Sequence, residues 1–223
     1  MQKKFFSYKN FKYVLALPDD FSEDKQYPLL VLLHGAGGRG NDGISLGDNP
    51  YFTFTEPLHL PAVTFAPQCF ANSWFDIFEQ LQDFIAFAMN HPFVDSRRVY
   101  LIGASMGGYA TWQMAMTHPE WFAAIVPICG GGMYWNAQRL KNMGVWAFHG
   151  SEDDTVKPEE SEKMTEAVNR FGGNAKLTIY PGTGHNSWEQ AYSDPETFRW
   201  LFGFTRQEFR DGTNPYDNAK QFG

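Results

Sequence analysis

Short, almost wholly apolar runs alternate with amphipathic stretches along most of this chain, and few architectures accommodate that alternation. The runs at residues 29–33, 62–66, 99–102, 123–126, 145–148 and 177–180 are too short and too apolar for surface helices. They read as strands buried on both faces, which is the condition of a parallel sheet covered by helices on each side. Between them, Phe78, Leu81, Phe84, Ile85, Ala88 and Met89 fall on one helical face, with Glu79, Gln80, Gln82 and Asp83 elsewhere, until His91-Pro92 ends the pattern. A second helix is predicted from Met106 to before Pro119. A third opens at Pro158-Glu159-Glu160, buries Met164, Ala167, Val168 and Phe171, and stops at Gly172-Gly173. Residues 3–8 and 13–17 form a short antiparallel pair at the start. The fold class is therefore α/β, with a mostly parallel central sheet and helices on both faces.

A chain of 223 residues with 43% hydrophobic and 19% charged content has enough material for one core, so a single domain over residues 1–223 is expected. The stretch after Phe204, roughly residues 205–223, lacks apolar periodicity and reads as a loosely attached tail. Eighteen Lys and Arg against 25 Asp and Glu give a net charge of -7, which excludes nucleic acid as a natural partner. No apolar run approaches the roughly 20 residues that span a bilayer, so no membrane association is expected. The N-terminal stretch from Met1 carries charge without the apolar segment of a signal peptide, which points to the cytoplasm. Cys69 and Cys129 have no further Cys or His at metal-ligand spacing, and both read as buried thiols.

The chemistry is concentrated at strand ends. Gly103-Ala104-Ser105-Met106-Gly107 stands where a strand gives way to a helix. A serine in such a sharp turn is held in strained backbone, with small residues two places either side so that neighbouring chain can pass. The turn also sets the N–H of Met106 at a helix N-terminus, where it can donate to an oxyanion. Ser105 is thus the candidate nucleophile and needs a base and a carboxylate to orient it. His185 follows the strand at residues 177–180, and Glu152, Asp153 and Asp154 follow the strand at residues 145–148. Asp153 is preferred over Glu152 and Asp154. The order Ser105, Asp153, His185 places all three on the carboxyl edge of the sheet, where α/β sites gather. The other histidines, His34, His59, His91, His118 and His149, read as turn or packing residues.

The second oxyanion donor should come from the loop His34-Gly35-Ala36-Gly37-Gly38-Arg39-Gly40, with the Ala36 N–H first and Gly37 next. Gly35, Gly37 and Gly40 also have the spacing of a dinucleotide fingerprint, but Asn41-Asp42-Gly43 follows where that fingerprint needs a helix. The connections at residues 41–61 and 130–143 are the expected pocket walls. Trp74, Trp135 and Trp188 are candidate substrate-binding faces for a sugar or an aromatic acyl group.

With these motifs in place, the chain resembles the α/β-hydrolase superfamily from about Pro28 to Gly203. Within it the likeness is to small single-domain esterases of the dienelactone-hydrolase-like, feruloyl-esterase-like and "predicted peptidase" kind. The resemblance rests on the glycine loop from His34, Ala66-Pro67-Gln68-Cys69 leading to Ser73-Trp74, Gly103 to Tyr109, Pro127 to Gly132, Phe148 to Asp154, and Gly184-His185-Asn186-Ser187-Trp188. It implies ester hydrolysis through an acyl-enzyme with no metal or organic cofactor. The partner is then a small-molecule or oligosaccharide ester, of a short or aromatic acyl group, on a plant-derived saccharide. Dienelactone hydrolases proper carry cysteine at the elbow, where this chain has Ser105. Two other readings share these residues: a serine peptidase of prolyl-oligopeptidase type, and a non-catalytic binding protein on a hydrolase fold.

Overall fold

The computed structural model describes residues 1–206, so most of the predicted tail lies outside the described residues. Eight strands form one sheet: β1 (Gln2–Tyr8), β2 (Phe11–Leu17), β3 (Tyr27–Leu33), β4 (Val63–Pro67), β5 (Val94–Ala104), β6 (Ala124–Ile128), β7 (Gly144–Gly150) and β8 (Ala175–Tyr180). Their order is β1-β2-β4-β3-β5-β6-β7-β8. β1 and β2 are antiparallel, as is the β2–β4 pair, and every pairing from β4 through β8 is parallel. Because β3 follows β4 in space and precedes it in sequence, the parallel crossovers run away from β3 in both directions, and the strand ends that carry functional loops gather around β3, β5 and β6.

The central strands are apolar on both faces for a visible reason. Leu29, Val31 and Leu33 of β3 pack into one buried layer with Leu81, Phe84 and Ile85 of α2 (Phe78–Met89) and with Ala110 and Met114 of α3 (Met106–Thr117). Leu30 and Leu32 point the other way, into a layer shared with Tyr51 and Phe52 of the short helix α1 (Pro50–Thr55) and with Phe198 and Leu201 of Pro195–Phe202. Successive strand residues face opposite sides, so each strand contributes to both layers. The helix predicted at Pro158 runs as Glu159–Arg170 and packs on the first layer through Met164, Ala167 and Val168.

Two expectations need correction. β5 starts at Val94, several residues before the apolar run, because Asp95, Arg97 and Arg98 are half-exposed or exposed and pair with one another outside the core. Arg206, placed in the loose tail, is attached: its main-chain N–H donates to Arg97 O at 2.8 Å and its guanidinium donates to Glu120 O at 2.7 Å. Among the described residues no helix is long and apolar enough to cross a membrane.

Candidate active site

Ser105 sits at the end of β5 with φ 56° and ψ -119°, a left-handed conformation that L residues adopt only under constraint. The constraint is close packing of main chain. A methyl group on Gly107 would lie 1.9 Å from Leu33 O, and one on Gly103 would lie 2.4 Å from Gly107 O. Only glycine lets α3 start this near β3 and turn this tightly out of β5. Ser105 N–H donates to Ile128 O at 2.9 Å, which fixes the turn against the end of β6.

The three residues selected from the sequence meet. Ser105 Oγ is 2.8 Å from His185 Nε2, and His185 Nδ1 is 2.7 Å from Asp153 Oδ2. Asp153 Oδ1 accepts the N–H groups of Thr155 and Val156, both at 2.9 Å, so the turn that follows β7 holds one carboxylate oxygen while His185 bonds the other. Burial pushes this carboxyl up, but the bonds from His185, Val156 and Thr155 outweigh it and leave it below the ordinary aspartate value. Asp153 is buried; Asp154 is exposed and paired with Lys157 at 2.6 Å, and Glu152 is exposed. The carboxylate of the cluster is therefore Asp153. Because it accepts from Nδ1, the imidazole presents Nε2 to the serine hydroxyl, and a proton leaving Oγ has an acceptor in line.

The glycine loop closes the other side. Ala36–Gly38 forms a single tight 3₁₀ turn, not the helix a dinucleotide site requires. Arg39 holds it by donating to Ala36 O at 2.8 Å and Asn72 O at 3.0 Å. A methyl group on Gly35 would lie 3.4 Å from Ser105 Cβ, so this loop runs directly over the serine. Among the described residues, neither the Ala36 nor the Met106 N–H donates to a main-chain carbonyl.

Ser105 and His185 open into a cavity of about 470 Å³ lined by residues 34–38, Ser45, Leu46, Asp48, Asn49, Pro50, Thr155, Trp188 and Tyr192. The connection at 41–61 is a wall, as expected. The connection at 130–143 is not: its residues cover α3 and the helix Glu159–Arg170, where Gly132 lies against Trp112 and Met164. The three tryptophans separate accordingly. Trp188 lines the cavity, its ring perpendicular to that of His185 at 5.4 Å. Trp74 is fully buried and donates its indole N–H to His34 O at 3.0 Å, so it presents no face to a ligand. Trp135 is 65% exposed and outside the cavity.

Two histidines read as ordinary turn residues belong to the framework of the site. His34 is buried; its Nε2 accepts the Cys69 N–H at 2.9 Å, which puts its proton on Nδ1, donated to Gly35 O at 2.6 Å. Burial drives its pKa down to about 4. His149 is buried beside Asp153. His59, His91 and His118 have the packing or surface roles expected, His118 stacking on Trp121 at 3.8 Å. Both cysteines are buried and free. Cys129, Asp153 and His185 bring ligand-type atoms within 4.8 Å of one another. They make a poor metal cradle: the carboxylate and imidazole are bonded to each other, and burial pushes the thiol up to about 12, which keeps it protonated.

The profile of the dienelactone hydrolase family matches residues 67–197, more than half of the chain. The chain belongs to the dienelactone hydrolase family. Membership places it among ester hydrolases. Probable feruloyl esterase C of Aspergillus niger is 24% identical over 189 residues, which cover 80% of this chain and 68% of that protein. Dipeptidyl-peptidase 5 of Porphyromonas gingivalis is 21% identical over a match covering 77% of this chain but 32% of the peptidase. Among solved structures, a thermostable esterase superposes with a TM-score of 0.78 at 32% identity, covering 92% of this chain and 63% of the esterase. Sheet order, helices on both faces and these esterase neighbours together make this dienelactone hydrolase family member an α/β-hydrolase fold.

Proposed function

We propose that this protein is a serine carboxylesterase that hydrolyses short-chain or aromatic acyl esters through an acyl-enzyme. The observation that carries the reading is the unbroken chain from Ser105 Oγ to His185 at 2.8 Å and from His185 to Asp153 at 2.7 Å, opening into the cavity. Ser105 Oγ attacks the ester carbonyl while His185 Nε2 takes its proton, and Asp153 steadies the imidazolium. The oxyanion that forms lies between the Met106 N–H, at the positive end of α3, and the Ala36 N–H. His185 then protonates the leaving alkoxide. Water attacks the acyl-serine by the same route in reverse and frees the acid.

The cavity wall narrows the acyl group. Among its described lining residues there is no Lys or Arg, and Asp48 is the one carboxylate besides the polar neighbours Ser45 and Asn49. Leu46, Pro50, Trp188 and Tyr192 supply apolar and aromatic surface. A neutral acyl group fits this lining, and an acyl group carrying its own carboxylate does not. A feruloyl or acetyl ester on a saccharide is the natural substrate class under this reading, in line with the names of the esterase relatives, acetylxylan esterase A of Aspergillus awamori among them.

The test is turnover of acetyl, butyryl and feruloyl esters together with labelling by a serine-directed phosphonate. Ser105→Ala should remove the label and lower turnover at least about a thousandfold. Retained turnover in Ser105→Ala refutes the nucleophile, and preference for long-chain lipid esters refutes the substrate class. A faster reaction with dipeptidyl anilides than with any ester would favour the peptidase reading that the Porphyromonas relative suggests.

A further inference from the structure

His149, near the end of β7, takes no part in the proton path just described, yet its surroundings are polar on both sides. Its Nε2 lies 2.9 Å from Val156 O and 3.3 Å from Asp153 Oδ2. Both are acceptors, so Nε2 carries a proton. Its Nδ1 lies 2.7 Å from Ser161 Oγ, which in turn reaches Gly130 O at 3.1 Å. The ring is thereby clamped between the helix Glu159–Arg170, the segment after β6 and the turn after β7. Both His149 and Asp153 have side chains wholly excluded from solvent.

The oxygen that faces His149 is the one that bonds His185: Asp153 Oδ2 has His185 Nδ1 at 2.7 Å on one side and His149 Nε2 at 3.3 Å on the other. Val156 is tied at both ends, its N–H to Asp153 Oδ1 and its carbonyl to His149. The turn from Asp153 to Val156 is therefore closed onto the His149 ring, and rotation of the carboxylate would break contacts on each side of it.

We propose that His149 is a positioning residue for the site: its Nε2–H shares Asp153 Oδ2 with His185, fixing the carboxylate and reducing the negative charge it offers the imidazolium. The proposal rests on the reading of Ser105, His185 and Asp153 as a catalytic triad. A carboxylate with a second donor stabilises a neighbouring imidazolium less than one without it, so loss of the His149 donor makes His185 more basic. The other titratable groups near the pair are Cys129 after β6, Tyr109 on α3, Glu160 on the helix Glu159–Arg170 and Lys157 before it. A substitution at His149 leaves all four in place, so a shift reports on the one donor.

The experiment is the pH dependence of kcat/KM for p-nitrophenyl acetate in the full-length protein, with folding followed by circular dichroism. His149→Leu removes the donor, and the acid limb should move up by about half a pH unit with kcat falling about tenfold. His149→Gln puts an amide N–H near the position of Nε2–H, and the limb should return to its wild-type place. A folded His149→Leu protein whose limb does not move, however slow, overturns the proposal. If His149→Leu does not fold, His149→Phe takes its place: it keeps a ring in the buried position and still removes the donor, and an unmoved limb there overturns the proposal equally. Failure of the triad itself is separately visible as activity retained by Ser105→Ala.

Discussion

Acid should loosen this protein at His34, and the structure sets both the direction and the size of the effect. The imidazole is 2% exposed, accepts the Cys69 N–H on Nε2, and has no room for a second proton without breaking that bond. Burial, reinforced by Arg39 and opposed by the bond to Gly35 O, brings its pKa from 6.5 to about 4. In the unfolded chain the same group protonates near its ordinary value. Its folded pKa is the lower of the two, so the stability it contributes is complete above pH 6.5 and is lost as pH falls towards 4. Each unit of displacement corresponds to about 1.4 kcal/mol, so the full loss is roughly 3 kcal/mol, and about 2 kcal/mol should be gone by about pH 4.5. Urea unfolding of the wild type and of His34→Gln at a series of pH values isolates the group, because carboxylates common to both proteins cancel. The wild type should be the more stable at neutral pH, with the gap closing by about 2 kcal/mol on the way to about pH 4.5. A gap that stays constant with pH would refute the reasoning, since it would mean that the folded protein admits the second proton freely.

Gly107→Ala puts a methyl group 1.9 Å from the backbone oxygen of Leu33, and it should destabilise by about 3 kcal/mol or more in thermal melts; Gly37→Ala, with nothing within 4 Å, should melt close to wild type. A near-native melt for Gly107→Ala would mean that β3 and α3 can separate at no cost. Trp74→Phe leaves the buried His34 carbonyl without its donor and should cost about 1–3 kcal/mol by urea unfolding, whereas Trp135→Ala should change stability by less than about 0.5 kcal/mol. Asp153→Asn should lower kcat by about 10³–10⁴, and Asp154→Asn, at an exposed residue paired with Lys157, should leave it near wild type. The reverse ranking would move the triad carboxylate.

The sheet was legible because strands buried on both faces have no polar positions to interrupt them. β3, β6 and β7 are such strands, and the glycine and proline punctuation after them marks the loops. The elements that were not legible are short. Pro50–Thr55 carries a start signal, Asn49 accepting the Tyr51 N–H ahead of a proline, but six residues do not complete the apolar repeat that would identify a helix. The helix Pro195–Phe202 is similar, opened by Asp194 capping the Glu196 N–H. Both are held by the layer they cover more than by their own sequence, with Tyr51 and Phe198 meeting edge to face across it.

The same distinction separates the parts of the site that were readable from those that were not. Ser105, Asp153 and His185 could be placed because each stands at the carboxyl end of a strand in a parallel sheet, and the sheet itself carries those ends to one edge. Side-chain direction has no such guide. A tryptophan is large enough to be a pocket wall or a packing element, and what decides is the fate of its N–H: that of Trp74 is taken by His34 O, 40 positions away in sequence, while Trp188 is carried beside His185 by the helix that starts there. His34 and His149 followed the same pattern at a smaller scale. Each precedes a glycine at the end of a strand, and nothing local distinguishes a turn residue from one that binds Cys69 or Ser161 across the fold. Their partners come from neighbouring strands and helices, so the support beneath this candidate site is a property of the packed sheet, visible once the strands are side by side and in no single stretch of chain.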